Sequence, residues 1–319
     1  MQTRSVGATG LKVSHLGLGT MTWGRDTDEH EARDQLIAFA EAGGTLVDTA
    51  AGYGDGASEE LIGSLIGDVV ARDEVVLATK AGISRRSGRR EVYASRGRLL
   101  SELDASLKRL RVDHVDLWQV HTWVDDAPLE ETLSALDLAV STGRASYVGV
   151  SNYTGWQTAQ AATWQRAVPG RAPLASTQME YSLLNRRVET EVLPAAHALG
   201  LGVLPWSPLG RGVLTGKYRN GIPSDSRAAS PVFANFVDHY LDDRSARIVE
   251  AVAKAADGLD WSMLHVALVW VRDRAGVTAP IVGARTAKQL RGALGADDLT
   301  LPPEIAEALD DVSSPELGA

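Results

Sequence analysis

Short apolar runs alternate with amphipathic stretches along almost the whole chain, which is the periodicity of repeated strand–helix units. Eight runs read as strands: His15–Gly19, Thr45–Asp48, Val75–Lys80, Val115–His121, Ala145–Ser151, Ala175–Met179, Gly202–Trp206 and Ala279–Val282. They are built from Val, Leu and Ala with little polar alternation, as parallel strands buried on both faces should be. The helical patterns between them include Asp28–Ala42, Ser58–Gly67, Arg96–Leu110, Pro128–Thr142, Thr154–Ala167, Arg187–Leu199 and Thr286–Leu294. Asp28 and Ser58 read as N-caps, and Gly43, Gly143 and Gly200 as C-terminal stops. Eight such units predict an α/β fold of the closed (β/α)8 TIM barrel type in preference to an open doubly wound sheet.

Three parts fall outside the repeat. Residues 2–14, with Gly7 and Gly10 at the turn, read as an N-terminal β-hairpin able to plug the barrel's lower end. The stretch from Ser207 to Asp242, after the seventh strand, is rich in Gly, Pro and Ser, and a loop of that length is usually functional. One more short helix is expected from Pro302 onward. No linker or composition shift divides the chain, so residues 1–319 are expected to form a single barrel domain.

Composition narrows the chemistry. With 44% hydrophobic and 23% charged residues the chain can bury a large core. Its formal net charge of −9 argues against nucleic acid as the main partner, because phosphate contacts need clustered Lys and Arg. The basic run from Ser84 to Arg90 is short and isolated, and reads as a solvated loop. The absence of cysteine excludes disulfides, thiolate nucleophiles and cysteine-based zinc sites. His15, His30, His114, His121, His197, His239 and His265 show neither H-x-H nor H-E-x-x-H spacing, so no metal site is expected. Met1–Gln–Thr–Arg lacks the apolar core of a signal peptide, and no apolar run approaches ~18 residues. A cytoplasmic protein with no membrane partner is the expectation.

In a (β/α)8 barrel the active site lies at the C-terminal ends of the strands, so a polar residue closing an apolar strand is a candidate catalyst. Asp48, Lys80 and His121 each close one, and Tyr53 follows Asp48 in the loop Ala51–Gly–Tyr–Gly54. Singly, each has a bland alternative: a cap, a snorkelling lysine, a core histidine, a loop tyrosine. Jointly they converge on one mouth. A buried lysine needs a partner, which Asp48 on the adjacent strand can be, and a phenol beside that cation is expected to have its pKa pulled down from ~10. No G-x-G-x-x-G follows a strand, which argues against a Rossmann dehydrogenase. Trp23, Trp123 and Phe233 are placed in loops at the mouth, with Trp23 and Trp123 joining Tyr53 and His121 in an expected substrate pocket.

These residues resemble one family, the aldo-keto reductases. Asp48-Thr-Ala-Ala-Gly-Tyr53-Gly is similar to its signature around the catalytic Asp and Tyr, and Ala78-Thr-Lys80 and Asp116-Leu-Trp-Gln-Val-His121 to its Lys and His strands. The likeness continues through Gly149-Val-Ser-Asn152, Gln178-Met-Glu-Tyr-Ser182, Trp206-Ser-Pro-Leu-Gly-Arg-Gly212 and Pro280-Ile-Val-Gly-Ala-Arg285, and covers residues 2 to 312. The Trp–Ser–Pro–Leu loop followed by Thr215-Gly-Lys217-Tyr218 looks closest to the bacterial branch related to potassium-channel β subunits.

The resemblance implies a small carbonyl substrate, NADPH as cofactor, and Asp48, Tyr53, Lys80 and His121 as a tetrad with Tyr53 the general acid. Ser151, Asn152 and Gln178 match positions that bind the nicotinamide carboxamide, and Trp206 the aromatic that stacks on its ring, with a plain core role for Trp206 as the alternative. Ser207, Pro208, Leu209, Gly210, Arg211, Lys217 and Arg227 match the loop across the diphosphate. Gly283, Ala284, Arg285 and Gln289 match the surroundings of the 2′-phosphate, and Thr20, Met21 and Asp48 complete the implied cofactor contacts. Gly292–Ala293 departs from the Glu–Asn many relatives carry against adenine, which weakens the expected adenine contact. A cofactor-binding regulatory subunit with little turnover is the alternative function.

Overall fold

Alternate residues of the eight predicted strands face a barrel interior and a surrounding ring of helices, so both faces are apolar. The computed structural model describes residues 1–85, 87–223, 226–229 and 234–315, with the backbone alone for Arg227, Ala234 and Asn235. The barrel strands are β1 (Gly17–Gly19), β2 (Leu46–Asp48), β3 (Val76–Ala81), β4 (Val115–Val120), β5 (Ala145–Ser151), β6 (Leu174–Glu180), β7 (Gly202–Trp206) and β8 (Ile281–Gly283). They pair in parallel, in chain order, and β8 closes on β1. Leu46, Ala78, Leu117, Leu204, Ala279 and Ile281 point inward and meet Val6, Leu11 and Val13 of the N-terminal hairpin, whose strands Thr3–Ser5 and Lys12–Ser14 are antiparallel. The hairpin is therefore the expected plug. Val47, Leu77, Trp118, Val148 and Val203 point outward into the larger core beneath the helices.

Around the barrel run α1 (Glu29–Glu41), α2 (Ala57–Leu65), α3 (Arg96–Leu110), α4 (Leu129–Ser141), α5 (Gly155–Ala167) and α6 (Val192–Ala198). The long loop after β7 leads into α7 (Asp243–Leu259) and α8 (Met263–Arg272), two helices for which the sequence reading has no counterpart. After β8 come α9 (Ala287–Leu294) and α10 (Pro303–Val312), the expected C-terminal helix. Among the described residues no helix is long and apolar enough to cross a membrane.

Asp28 caps α1 as expected, accepting from the Glu31 N–H at 2.9 Å. Ser58 does not cap α2. That helix starts at Ala57 behind a left-handed Gly56, which leaves the Ser58 hydroxyl to donate to the Thr20 carbonyl at 2.9 Å and tie α2 to the end of β1.

Gly149 sets the closeness of β5 and β6 at the level just below the mouth. A Cβ there would lie 2.2 Å from Ser176 Oγ and 2.8 Å from the Ser176 carbonyl oxygen, so backbone must move to admit it. Gly149→Ala is expected to destabilise the fold by roughly 1–3 kcal/mol, the usual cost of overpacking. A urea midpoint equal to wild type would show that the two strands can part without cost.

Candidate active site

β2, β3 and β4 lie side by side, with Asp48 paired to Ala78 and Lys80 to Gln119, so the inward positions rise in a staircase toward the mouth. Lys80 is fully buried, and its ammonium donates to Asp48 Oδ2 at 2.6 Å and to the Thr49 carbonyl at 2.8 Å. The other carboxylate oxygen of Asp48 accepts from Gln178 Nε2 at 2.9 Å, across the barrel from β6. Beyond Asp48 the chain turns through left-handed Gly54, Asp55 and Gly56, and the Tyr53 ring comes to lie over the pair, its centroid 5.2 Å from Lys80 Nζ. His121 meets that ring edge-on at 5.8 Å. The four expected residues converge.

Their electrostatics differ from the sequence expectation in one respect. Burial raises the Tyr53 pKa above the ordinary phenol value; Lys80 pulls it down, Asp48 pushes it up, and the net shift is upward. The expectation of a lowered pKa counted the cation but neither the lost hydration nor the carboxylate that cancels much of the cation's field. Tyr53 is thus a loaded proton donor at neutral pH. For Lys80, burial alone would lower the pKa, but Asp48 and Tyr53 outweigh it, and the ammonium persists. His121 is held well below its ordinary value by burial first, then by the Lys80 and Arg90 charges, so it is a neutral imidazole with one N–H.

Around this core the polar groups are already engaged with one another. Trp206 Nε1 can only donate, and it donates to Asn152 Oδ1 at 3.1 Å, which fixes the Asn152 amide orientation. Asn152 Nδ2 then donates to the His121 carbonyl at 2.9 Å and to Ser151 Oγ at 3.1 Å, and Ser151 Oγ to the Gln178 carbonyl at 2.9 Å. Both amide hydrogens of Asn152 and the Ser151 hydroxyl hydrogen are spent. What these residues offer a ligand is acceptors, together with the second N–H of Gln178. Thr20 is similarly engaged, its N–H and hydroxyl both donating to the Asp48 carbonyl, at 3.0 and 3.1 Å.

A cavity of about 720 Å³ opens from Tyr53 and His121, passes Met21, Trp206, Ser207, Pro208 and Leu209, and reaches Gly283, Ala284, Arg285 and Gln289. Arg211 and Lys217 border it, as do Gly292 and Ala293; Gly210 sits behind its wall against Leu184. Thr22, Thr215, Phe236, Leu264 and Lys288 line it without having been foreseen. Lys288 had a signal, since it lies three positions after Arg285 at a helix start; Phe236 and Leu264 arrive from distant segments and had none.

Several expectations are corrected. Arg211 is not a free cation for an anion: it makes a bidentate pair with Glu180, at 2.9 and 2.7 Å, and stacks 3.5 Å over Phe236. Trp23 does not reach the cavity; its ring is fully buried and its Nε1 donates to Gln35 Oε1 at 3.1 Å. Trp123 lies outside the lining, edge-on to Tyr153 at 5.1 Å and Trp156 at 5.4 Å, with its N–H on Asp125. Phe233 and the Arg227 side chain lie outside the described residues. Among the described residues no group of three or more His, Cys, Asp or Glu could hold a metal ion.

Residues 15–314 match the model of the Aldo/keto reductase family. The chain is 37% identical to an uncharacterized oxidoreductase of Bacillus subtilis over 98% of this chain and 96% of that one. It is 34% identical to a probable voltage-gated potassium channel subunit beta of rice over 98% and 96%. It is 35% identical to an L-glyceraldehyde 3-phosphate reductase of Escherichia coli over 91% and 86%.

The neutral state of His121 has a consequence for stability. Its folded pKa lies below the ordinary 6.5, so at lower pH the unfolded chain takes up a proton there that the folded chain refuses. Stability is then lost as pH falls through the unfolded value. His15, also lowered, contributes with the same sign. Urea midpoints should fall from about pH 7 to about pH 5, and His121→Gln should flatten that slope. An NMR titration placing the His121 imidazole at its ordinary value would remove the argument.

Proposed function

The chain belongs to the Aldo/keto reductase family, and from that premise we propose that it reduces an aldehyde or ketone to the alcohol with NADPH, Tyr53 serving as general acid. One observation carries the reading: two proton donors, the Tyr53 hydroxyl and the neutral His121 imidazole, share one end of the cavity, with a charge-balanced Lys80–Asp48 pair behind them.

The cavity fits the cofactor by volume and by chemistry. About 720 Å³ is within the ~300–1,000 Å³ usual for ligand sites. Trp206, oriented by Asn152, offers a rigid face for a flat ring, and the acceptors of Ser151, Asn152 and Gln178 suit a carboxamide NH₂. Lys217 suits a diphosphate, while Arg285 and Lys288 at the start of α9 suit a 2′-phosphate by charge and by the helix dipole. When bound, NADPH supplies the hydride.

The protein's own part is positioning and proton transfer. His121 and Tyr53 donate to the carbonyl oxygen and orient it. As negative charge develops there, the Tyr53 proton moves to it, and the Lys80 ammonium stabilises the phenolate left behind. Asp48 keeps that ammonium in place, and Gln178 keeps Asp48.

The rice relative's name supports a second reading, an NADP(H)-binding regulatory subunit with little turnover. The assembled tetrad favours the enzyme. Multiple-turnover oxidation of NADPH by a simple aldehyde separates them, since a regulatory subunit should stop after about one equivalent.

Two outcomes follow from the residue roles. Tyr53→Phe should lower turnover by roughly 10²–10⁴-fold while NADPH binding stays within a few-fold, because only the donated proton is removed. Turnover near wild type would take Tyr53 out of the acid role. Arg285→Ala should weaken NADPH by about 1.5–3 kcal/mol and leave NADH nearly unaffected, the scale of a hydrogen bond to a charged group. Equal losses for both cofactors in a fluorescence titration would mean that Arg285 does not read the phosphate.

A further inference from the structure

β3 continues past Lys80 through Gly82 into an antiparallel hairpin, Ile83–Ser84 against Glu91–Val92. Its base is wedged between the two proton donors. The Ala81 carbonyl accepts from the His121 N–H at 2.8 Å, and a Cβ on Gly82 would lie 3.5 Å from that nitrogen. On the other side, a Cβ on Gly52, next to Tyr53, would lie 2.7 Å from the Ile83 carbonyl oxygen. The pairing of Ser84 with Glu91 makes Arg85 and Arg90 the next residues outward, followed by Arg89, and all three are exposed.

Arg85, Arg89 and Arg90 belong to the basic run that is isolated in the sequence; the fold carries them on a hairpin that extends from the mouth end of β3, outside the cavity lining. Glu91 is spent on Arg98 at 2.9 Å, and Arg85, Arg89 and Arg90 make no side-chain ion pair or hydrogen bond among the described residues. Two charges act on His121, those of Lys80 and Arg90. The first belongs to a residue paired with Asp48 at 2.6 Å, the second to a residue with no carboxylate partner among the described residues. Of the two, Lys80 is committed to a carboxylate inside the barrel and Arg90 to none among those residues. Holding several like charges together on one tip costs Coulomb energy that a bound anion would relieve.

We propose that Arg90, with Arg85 and Arg89 beside it, selects carbonyl substrates that carry an anionic group, a carboxylate or a phosphate. The inference rests on the reductase reading and names its substrate class. Lys217, Arg285 and Lys288 line the cavity and suit the proposed cofactor phosphates; the hairpin arginines stand outside the lining, on the extension of the strand that carries Lys80, within reach of a substrate's outer end.

The test uses two matched pairs of aldehydes with NADPH: 4-carboxybenzaldehyde against its methyl ester, and glyceraldehyde 3-phosphate against glyceraldehyde. The quantity read is the ratio of kcat/KM within each pair. Wild type should prefer the anionic member of at least one pair by about tenfold, between the worth of an exposed ion pair and that of a desolvated charged hydrogen bond. The pair that shows it identifies carboxylate or phosphate. Arg90→Gln should bring the ratio most of the way to one, Arg90→Lys should retain much of it, and salt should lower kcat/KM for the anionic member more than for the neutral one.

Any effect of Arg90 through the His121 pKa would move both members of a pair alike and cancel in the ratio. Circular dichroism and urea midpoints would confirm that each variant is folded, as expected at an exposed tip. Turnover of the neutral aldehydes with ratios near one, or ratios indifferent to Arg90→Gln, overturns this inference and leaves the reductase reading standing. No turnover of any of the four overturns both.

Discussion

The buried pair of Lys80 and Asp48 is the constraint on which the site depends. Taking both charges out of water costs several kcal/mol per ion, and their attraction offsets that only if the remaining lone pairs and protons are satisfied. Here they are: the ammonium also reaches the Thr49 carbonyl, and the second carboxylate oxygen holds Gln178. Each of those partners belongs to a different part of the barrel wall. The pair therefore ties β2, β3 and β6 at one level, and the network runs on through Ser151 and Asn152 to Trp206 on β7. A ring stacked at Trp206 and a carbonyl held at Tyr53 would be positioned by one continuous set of hydrogen bonds.

The same pair explains how two weak acids can work side by side. An uncompensated ammonium would favour phenolate at Tyr53, whereas at His121 it acts with burial to keep the imidazole neutral. With Asp48 beside it, burial dominates at both residues: the phenol keeps its proton and the imidazole stays neutral. Both then present an O–H or N–H to the cavity. The rim follows a different rule, because Arg211 is neutralised by Glu180 and held under Phe236 and Tyr240, so its charge fixes the loop after β7 and is not left for an anion.

Much of this was legible in the sequence, for reasons that also explain what was not. The strands could be read because interior and exterior positions are both apolar, and because Asp48, Lys80 and His121 stand out at their ends. α8 could not, since Val266 to Val271 are buried all round and show no amphipathic period. The pairing of Arg211 is not legible because its partner, Glu180, is a residue of β6, far away in the chain, and the burial of Trp23 is not because a loop position says nothing about which way an indole turns. The basic run from Ser84 to Arg90 reads in the sequence as a solvated loop. Arg85, Arg89 and Arg90 are indeed exposed, but only the closed barrel shows that the hairpin carrying them starts beside His121.

The direction of the Tyr53 shift sets the protonation state from which the proposed chemistry starts. Reduction needs a proton on the phenol at the moment an alkoxide forms, and an alkoxide is so much stronger a base than any phenolate that a raised phenol pKa does not obstruct the transfer. Oxidation of the alcohol needs the opposite starting state, a phenolate ready to take the proton, and burial makes that state scarce near neutral pH. The ratio of forward to reverse efficiency stays fixed by the reaction's equilibrium, because a phenolate made scarcer by burial is a stronger base in the same proportion. What burial changes is the fraction of protein correctly protonated for each direction, nearly all for reduction and little for oxidation until the solution becomes alkaline. Desolvation at the end of a closed barrel, with its lower end stopped by the apolar hairpin, thus leaves Tyr53 in the protonated state from which the proposed reduction starts, by the same physics that buries the ion pair.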